Sequence, residues 1–183
     1  MTRQPAFRVG VFAAMVATIV VAAHSTGAHA HWARSAASCE VERWAVKTLQ
    51  DRPVLRALRK STVGALGRVR VPAVLPDRRL PFERNVYQVE AAVVLVRLED
   101  DSDFHLVLRD GSAQMIAESP LPACAASATA IRRRQMRNVR AVVRVCGRAR
   151  VTGVAFFDFD HGQTGVAPNA TELHPILGFR CLG

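Results

Sequence analysis

The stretch from Asp158 to His174 gathers side chains that can bind metal or move protons. Asp158, Asp160, His161, Glu172 and His174 are all metal-ligand types. Imidazole and carboxylate together suit zinc, manganese or iron. Side chains alternate faces along a strand, so Asp158 and Asp160 would share one face, and Glu172 and His174 one face of the returning segment. Two neighbouring strands could then bring four ligands to one divalent metal, as a metal-dependent hydrolase acting on phosphodiesters would require. The same stretch also reads as architecture. Gly162, Gly165 and Pro168-Asn169 supply turn chemistry, and Asp and His beside turns commonly bond backbone amides.

A second kind of chemistry is electrostatic. Arg132, Arg133, Arg134, Arg137 and Arg140 crowd one short segment, with Arg144 just beyond. Guanidinium groups in this density suit an anionic polymer or nucleic acid, bound through phosphates in a salt-sensitive, sequence-independent way. Single-stranded nucleic acid would also need stacking aromatics. Phe156, Phe157 and Phe159 are the candidates, although one face of their strand should be core. The acidic turn Glu99, Asp100, Asp101 and Asp103 has oxygen ligands for calcium but lacks the glycine and distal glutamate of an EF-hand loop. His105, just after it, is expected at the surface or an interface. No G-x-S-x-G, G-x-x-x-x-G-K-[ST] or H-E-x-x-H occurs, and Asn169-Ala170-Thr171 is discounted as a glycosylation site.

The compartment is suggested by the first thirty residues. Arg3 and Arg8 precede an apolar run of about 15 residues, short of the ~20 needed to span a bilayer. Ala28-His29-Ala30 then gives a small-x-small cleavage site, the pattern of a secretory signal peptide. Residues 31–183 would remain, a secreted or periplasmic chain with formal charge +8 once Arg3 and Arg8 leave the total of +10. The cysteines at 39, 124, 146 and 181 are even in number and contain no C-x-x-C, which favours disulfides over zinc. Three pairings are open. Cys39 with Cys124 and Cys146 with Cys181 is the expected one, the first closing a loop of about 85 residues worth roughly 4 kcal/mol.

These side chains need elements to position them. Residues 40–50 alternate around Trp44 and Val46 as a short strand would. Asp51-Arg52-Pro53 looks like the opening of a short helix through Val54, Leu55 and Leu58. Three prolines between Val71 and Phe82 enforce an extended wrap. Val86–Leu98 is a long strand with Tyr87, Val89, Ala91, Val93 and Leu95 on one face. Phe104–Leu108 follows, Asp110-Gly111 is a hairpin signal, and Gln114–Glu118 returns. Residues 127–143 change to helical period, with Ala128, Ile131, Gln135, Val139 and Val142 near one face, Met136 and Val143 beside it, and the arginines over much of the rest. Val145–Phe159 is a strand with Gly147 and Gly153 as possible bulges, and Leu173–Cys181 is the last.

Three strands, a helix and two strands is the order of the five-stranded Greek-key barrel called the OB-fold. A mainly β, OB-like barrel over residues 83–183 is therefore expected, with residues 31–82 as an N-terminal extension. A small antiparallel α+β sheet is the alternative.

ERWAVKT (42–48), LEDDSDFHLVLRDG (98–111), AESPLPAC (117–124) and VTGVAFFDFDHGQTGVAPNATELHPIL (151–177) resemble a group of exported bacterial proteins that carries no assigned activity. The resemblance implies export and a shared small β domain. Thermonucleases are also exported OB-like barrels, but no segment here matches their catalytic arginines, glutamate and calcium aspartates. The expectation is an exported, disulfide-stabilised binding or envelope-associated module, with a metal-dependent hydrolase as its rival.

Overall fold

The computed structural model describes Cys39 and residues 42–183. The leader expected over residues 1–30 lies outside the described residues. In chain order the elements are α1 (Trp44–Lys47), β1 (Leu58–Lys60), α2 (Val63–Leu66), β2 (Val86–Leu98), β3 (Phe104–Asp110), β4 (Ala113–Ser119), α3 (Ala130–Arg140), β5 (Cys146–Phe157) and β6 (Thr171–Cys181). None of the described helices is long and apolar enough to cross a membrane.

The strands run β2-β3-β4-β6-β5, and β5 pairs back with β2 to close the barrel. β4 and β6 are parallel, while the other barrel pairs are antiparallel. Three consecutive strands, a helix, then two strands of which the last lies between the third and the fourth is the OB-type arrangement. β1 adds a sixth, parallel strand beside the start of β2.

Alternating apolar residues fill the barrel. Val89, Ala91, Val93, Leu106, Leu108, Met115, Ala117, Ala149, Val151, Leu173 and Ile176 form its core. The register slips between Val93 and Leu95, so Val96 rather than Leu95 packs on that core. The expected single face of β2 thus breaks at a bulge. Gly153 sits at another slip between β5 and β6, where a Cβ would fall 2.8 Å from that of Leu173.

The N-terminal reading changes in three places. Residues 44–47 are one helical turn, not a strand, because Arg43 at φ 56° turns the chain into it. The segment after Pro53 is extended and ends in β1 rather than forming a helix. The helix comes later, as α2, where the Thr62 hydroxyl accepts from Ala65 N at 3.1 Å. Helix α3 forms where expected, capped by the Thr129 hydroxyl, but its inner face differs. Met136 and Val139 are buried, whereas Ile131 is 62% and Val142 43% exposed.

Both expected disulfides are present, Cys39–Cys124 with Cα atoms 5.3 Å apart and Cys146–Cys181 at 6.0 Å. The first ties the N-terminal segment to the turn before α3. The second staples the start of β5 to the end of β6.

Candidate functional site

A barrel strand has an outer face as well as an inner one. On β3, Leu106 and Leu108 point into the core, so His105 and Val107 point outward, yet both are buried. The connection between β5 and β6 covers them, its Thr164 carbonyl lying 2.8 Å from His105 Nε2. Gly165 lies against Val107 so closely that a Cβ would stand 2.5 Å from its Cγ2. In OB-type barrels the face of the second and third barrel strands, here β3 and β4, and the loop between the last two strands serve ligand binding. Here the chain covers that wall with its own loop.

Beneath the cover lies a cluster of charged side chains. β3 supplies His105, β4 Glu118, β6 Glu172 and His174, the end of β5 Asp158, the turn before β3 Asp103, and α1 Lys47. All seven are buried, with Asp103, His105 and His174 at 0% exposure. Glu118 is the hub. Its carboxylate lies 3.2 Å from His105 Nδ1, 2.9 Å from His174 Nδ1 and 3.8 Å from Lys47 Nζ. Lys47 also meets Asp158 at 3.1 Å. His174 Nε2 lies 3.4 Å from Asp103 Oδ2, and its Nδ1 lies 3.9 Å from Glu172 Oε2. Phe156 packs edge-on to His174 at 5.9 Å, with Lys47 5.7 Å and Arg43 4.9 Å from the ring centre.

Burial and proximity set the protonation of each group. Burial opposes charge on Glu118, but the hydrogen bond from His105, the close approach of His174 and the charges of His174 and Lys47 outweigh it, and its carboxyl stays well below the usual range. Glu172 is driven the other way. Burial, then the charges of Glu118 and Asp158, push it up to about 7. Desolvation pulls His174 down, yet Asp103, Glu118 and Glu172 around it raise it well above an ordinary histidine. His105 is raised too, against its burial, by Glu118, the Thr164 carbonyl and Glu99. Lys47 is likewise raised against desolvation by Glu118, Asp158 and Glu172.

Contact and alignment do not coincide at His174. Both ring nitrogens, Asp103 Oδ2 and Glu172 Oε2 are buried without a hydrogen bond, although the ring is within 2.9 Å of Glu118. The carboxylates stand close but off the direction of the ring N–H bonds, so the 2.9 Å approach is an ion contact rather than an aligned hydrogen bond.

Of the sequence candidates, Asp158, Glu172 and His174 meet in this cluster. Asp160 and His161 do not. They are exposed, Asp160 Oδ1 accepts from Gly162 N at 2.8 Å, and His161 N donates to Gln163 Oε1. Those two residues shape the loop. The proposed four-ligand set therefore does not assemble, and His105 is not at the surface. Of the acidic turn, Asp103 enters the cluster, Asp101 Oδ1 accepts from Asp103 N, and Glu99 pairs with Arg97 at 2.7 Å. They do not gather around one point. Lys47, Asp103, His105 and Glu118 were missing from the candidate site, although the last two face each other across the β3–β4 hairpin.

The arginine segment also divides. Arg140 donates to the carbonyls of Ser119 and Ser102 and stacks on Phe104 at 4.1 Å. Arg133 bonds the carbonyls of Ala126 and Ala128, and Arg132 the side chain of Gln135. Arg134 and Arg137 are exposed. Phe156 and Phe157 are buried and Phe159 is 38% exposed, so the stacking platform expected of a nucleic-acid strand is not assembled. A cavity of about 160 Å³ at the start of α3, lined by Arg52, Leu55, Ile131 and Arg132, and one of about 310 Å³ between α3 and β6 are both lined without any member of the charged cluster.

No family model matches the chain, and no curated protein matches it either. Among solved structures, it is similar to a chain described as an aspartyl-tRNA synthetase from Leishmania major Friedlin, at 14% identity and TM-score 0.44, over 67% of this chain and 20% of that one. It is also similar to an asparaginyl-tRNA synthetase from Entamoeba histolytica, at 12% identity and TM-score 0.41, over 70% of this chain and 24% of the other. The chain thus spans a fifth to a quarter of the length of the proteins it matches. The fold assignment rests on strand order.

Proposed function

We propose that the chain is an exported, envelope-associated binding module that holds an anionic polymer on the outer face of α3. The observation that carries this reading is the pair Arg134 and Arg137, both exposed, on a helix with no acidic residue in its first turn and with basic residues in its last. Cations near a helix C-terminus also sit favourably against its dipole. The two disulfides suit an oxidising compartment, and a net positive chain attracts polyanions at long range. The rival hydrolase gains less support. Its candidate ligands are either buried under the loop or separated from one another, so a substrate has no visible approach to them.

The test is binding of the full secreted chain to single-stranded DNA and to polyphosphate, followed by fluorescence polarisation across 50–200 mM salt. Arg134→Ala/Arg137→Ala should weaken binding at least tenfold and flatten the salt slope by roughly 1.4, about 0.7 per lost phosphate contact. Arg148→Ala, a change at a side chain already paired with Glu90, should change it far less. Equal affinity of the double variant and the parent would remove α3 from the function.

A further inference from the structure

The buried cluster holds polar atoms that its own side chains leave without a hydrogen bond. Both ring nitrogens of His174, Asp103 Oδ2 and Glu172 Oε2 are enclosed without an aligned partner. His105 differs, with Glu118 at 3.2 Å from Nδ1 and the Thr164 carbonyl at 2.8 Å from Nε2. Glu118 stands 2.9 Å from Nδ1 of His174 and Asp103 3.4 Å from its Nε2, neither in line for a ring N–H bond. A metal ion on a ring nitrogen takes carboxylates from off the direction that an N–H bond needs, so an ion can satisfy these atoms where hydrogen bonds do not.

We propose that Asp103, Glu118 and His174 bind one divalent metal ion, with Glu172 beside them as the fourth donor, and that the ion fastens the turn before β3, β4 and β6 together beneath the N-terminal segment. The three residues each offer an atom within 4.8 Å of the others. One imidazole and two or three carboxylates suit zinc or manganese. Full enclosure by protein marks a structural site, which keeps no open position for substrate. The site is separate from the α3 surface and does not depend on it.

The experiment is refolding of the oxidised full chain with zinc, manganese or cobalt(II), gel filtration, and metal analysis by mass spectrometry, because a buried ion would enter slowly after folding. One equivalent per chain is expected. At about 100 times its dissociation constant the metal should raise the melting temperature by roughly 5–10 °C, and cobalt should give visible bands of a low-symmetry nitrogen–oxygen site. Asp103→Asn keeps the carbonyl-type oxygen that accepts from Leu121 N, so it should fold yet bind at least tenfold more weakly. His161→Ala should bind as the parent does. A folded parent chain that retains less than a tenth of an equivalent of all three metals would overturn the site. So would full binding by Asp103→Asn.

Discussion

At the scale of single residues, the tightest demand on the sequence is Glu83. It is 0% exposed and accepts from Arg43 through both oxygens at 2.7 and 2.8 Å, from Leu80 N at 2.7 Å and from Phe157 N at 3.1 Å. Arg43 uses its remaining donors on the carbonyls of Phe157, Pro76 and Arg78. One ion pair thus joins α1, the proline-rich wrap and the end of β5. Glu83→Ala would leave a buried guanidinium uncompensated, and should cost about 3–5 kcal/mol in urea unfolding. Replacing both partners by apolar residues should recover much of that. A single-variant cost below about 1 kcal/mol would show that the network does not hold the wrap. Little of this is legible beforehand, since Arg43 and Glu83 meet only after the chain folds back. His105 and Glu118 are different. A hairpin turning at Gly111 and Ser112 must set them opposite each other, so two of the seven cluster residues are available from the turn alone. The outward position of His105 read as surface because nothing local announced a cover.

At the scale of elements, the loop between β5 and β6 decides what the barrel wall can do. Gly165 adopts φ +93° and rests on Val107. Gly165→Ala would meet both a disfavoured backbone and a collision, and should cost about 1–3 kcal/mol. Hydrogen exchange should then speed up across residues 159–170 and around His105, with the strands inside the barrel little changed. Unaltered exchange in the loop would mean that Gly165 is not its anchor. The barrel strands and α3 were readable because each carries a period long enough to count. α1 was misread because one helical turn, Trp44–Lys47, is too short to distinguish from alternation. The segment after Pro53 had a helix-start signal, yet Arg56 N bonds Arg84 O at 2.8 Å and draws it into extended pairing. Tertiary partners, absent from any local window, settled both.

At the scale of the whole molecule, two covalent ties bracket the fold. Cys39–Cys124 spans 85 residues and Cys146–Cys181 spans 35. In the chain-entropy model their removal costs about 4.5 and about 3.8 kcal/mol. Cys39→Ser/Cys124→Ser should therefore lower the urea midpoint somewhat more than Cys146→Ser/Cys181→Ser. A reversed order would show that local strain or residual denatured structure outweighs loop length. The position of β6 carries a consequence of another kind, concerning time. It is made after the other five strands, yet it lies between β4 and β5 and brings Glu172, His174 and Cys181 with it. Until those residues are made the barrel stays open, the charged wall is unfinished, and the N-terminal turn has no complete surface on which to settle. Such dependence on distant partners makes for slow folding. The strands made before β6 cannot close the barrel among themselves, so a nascent chain that has passed β5 but not β6 is not yet committed to this fold.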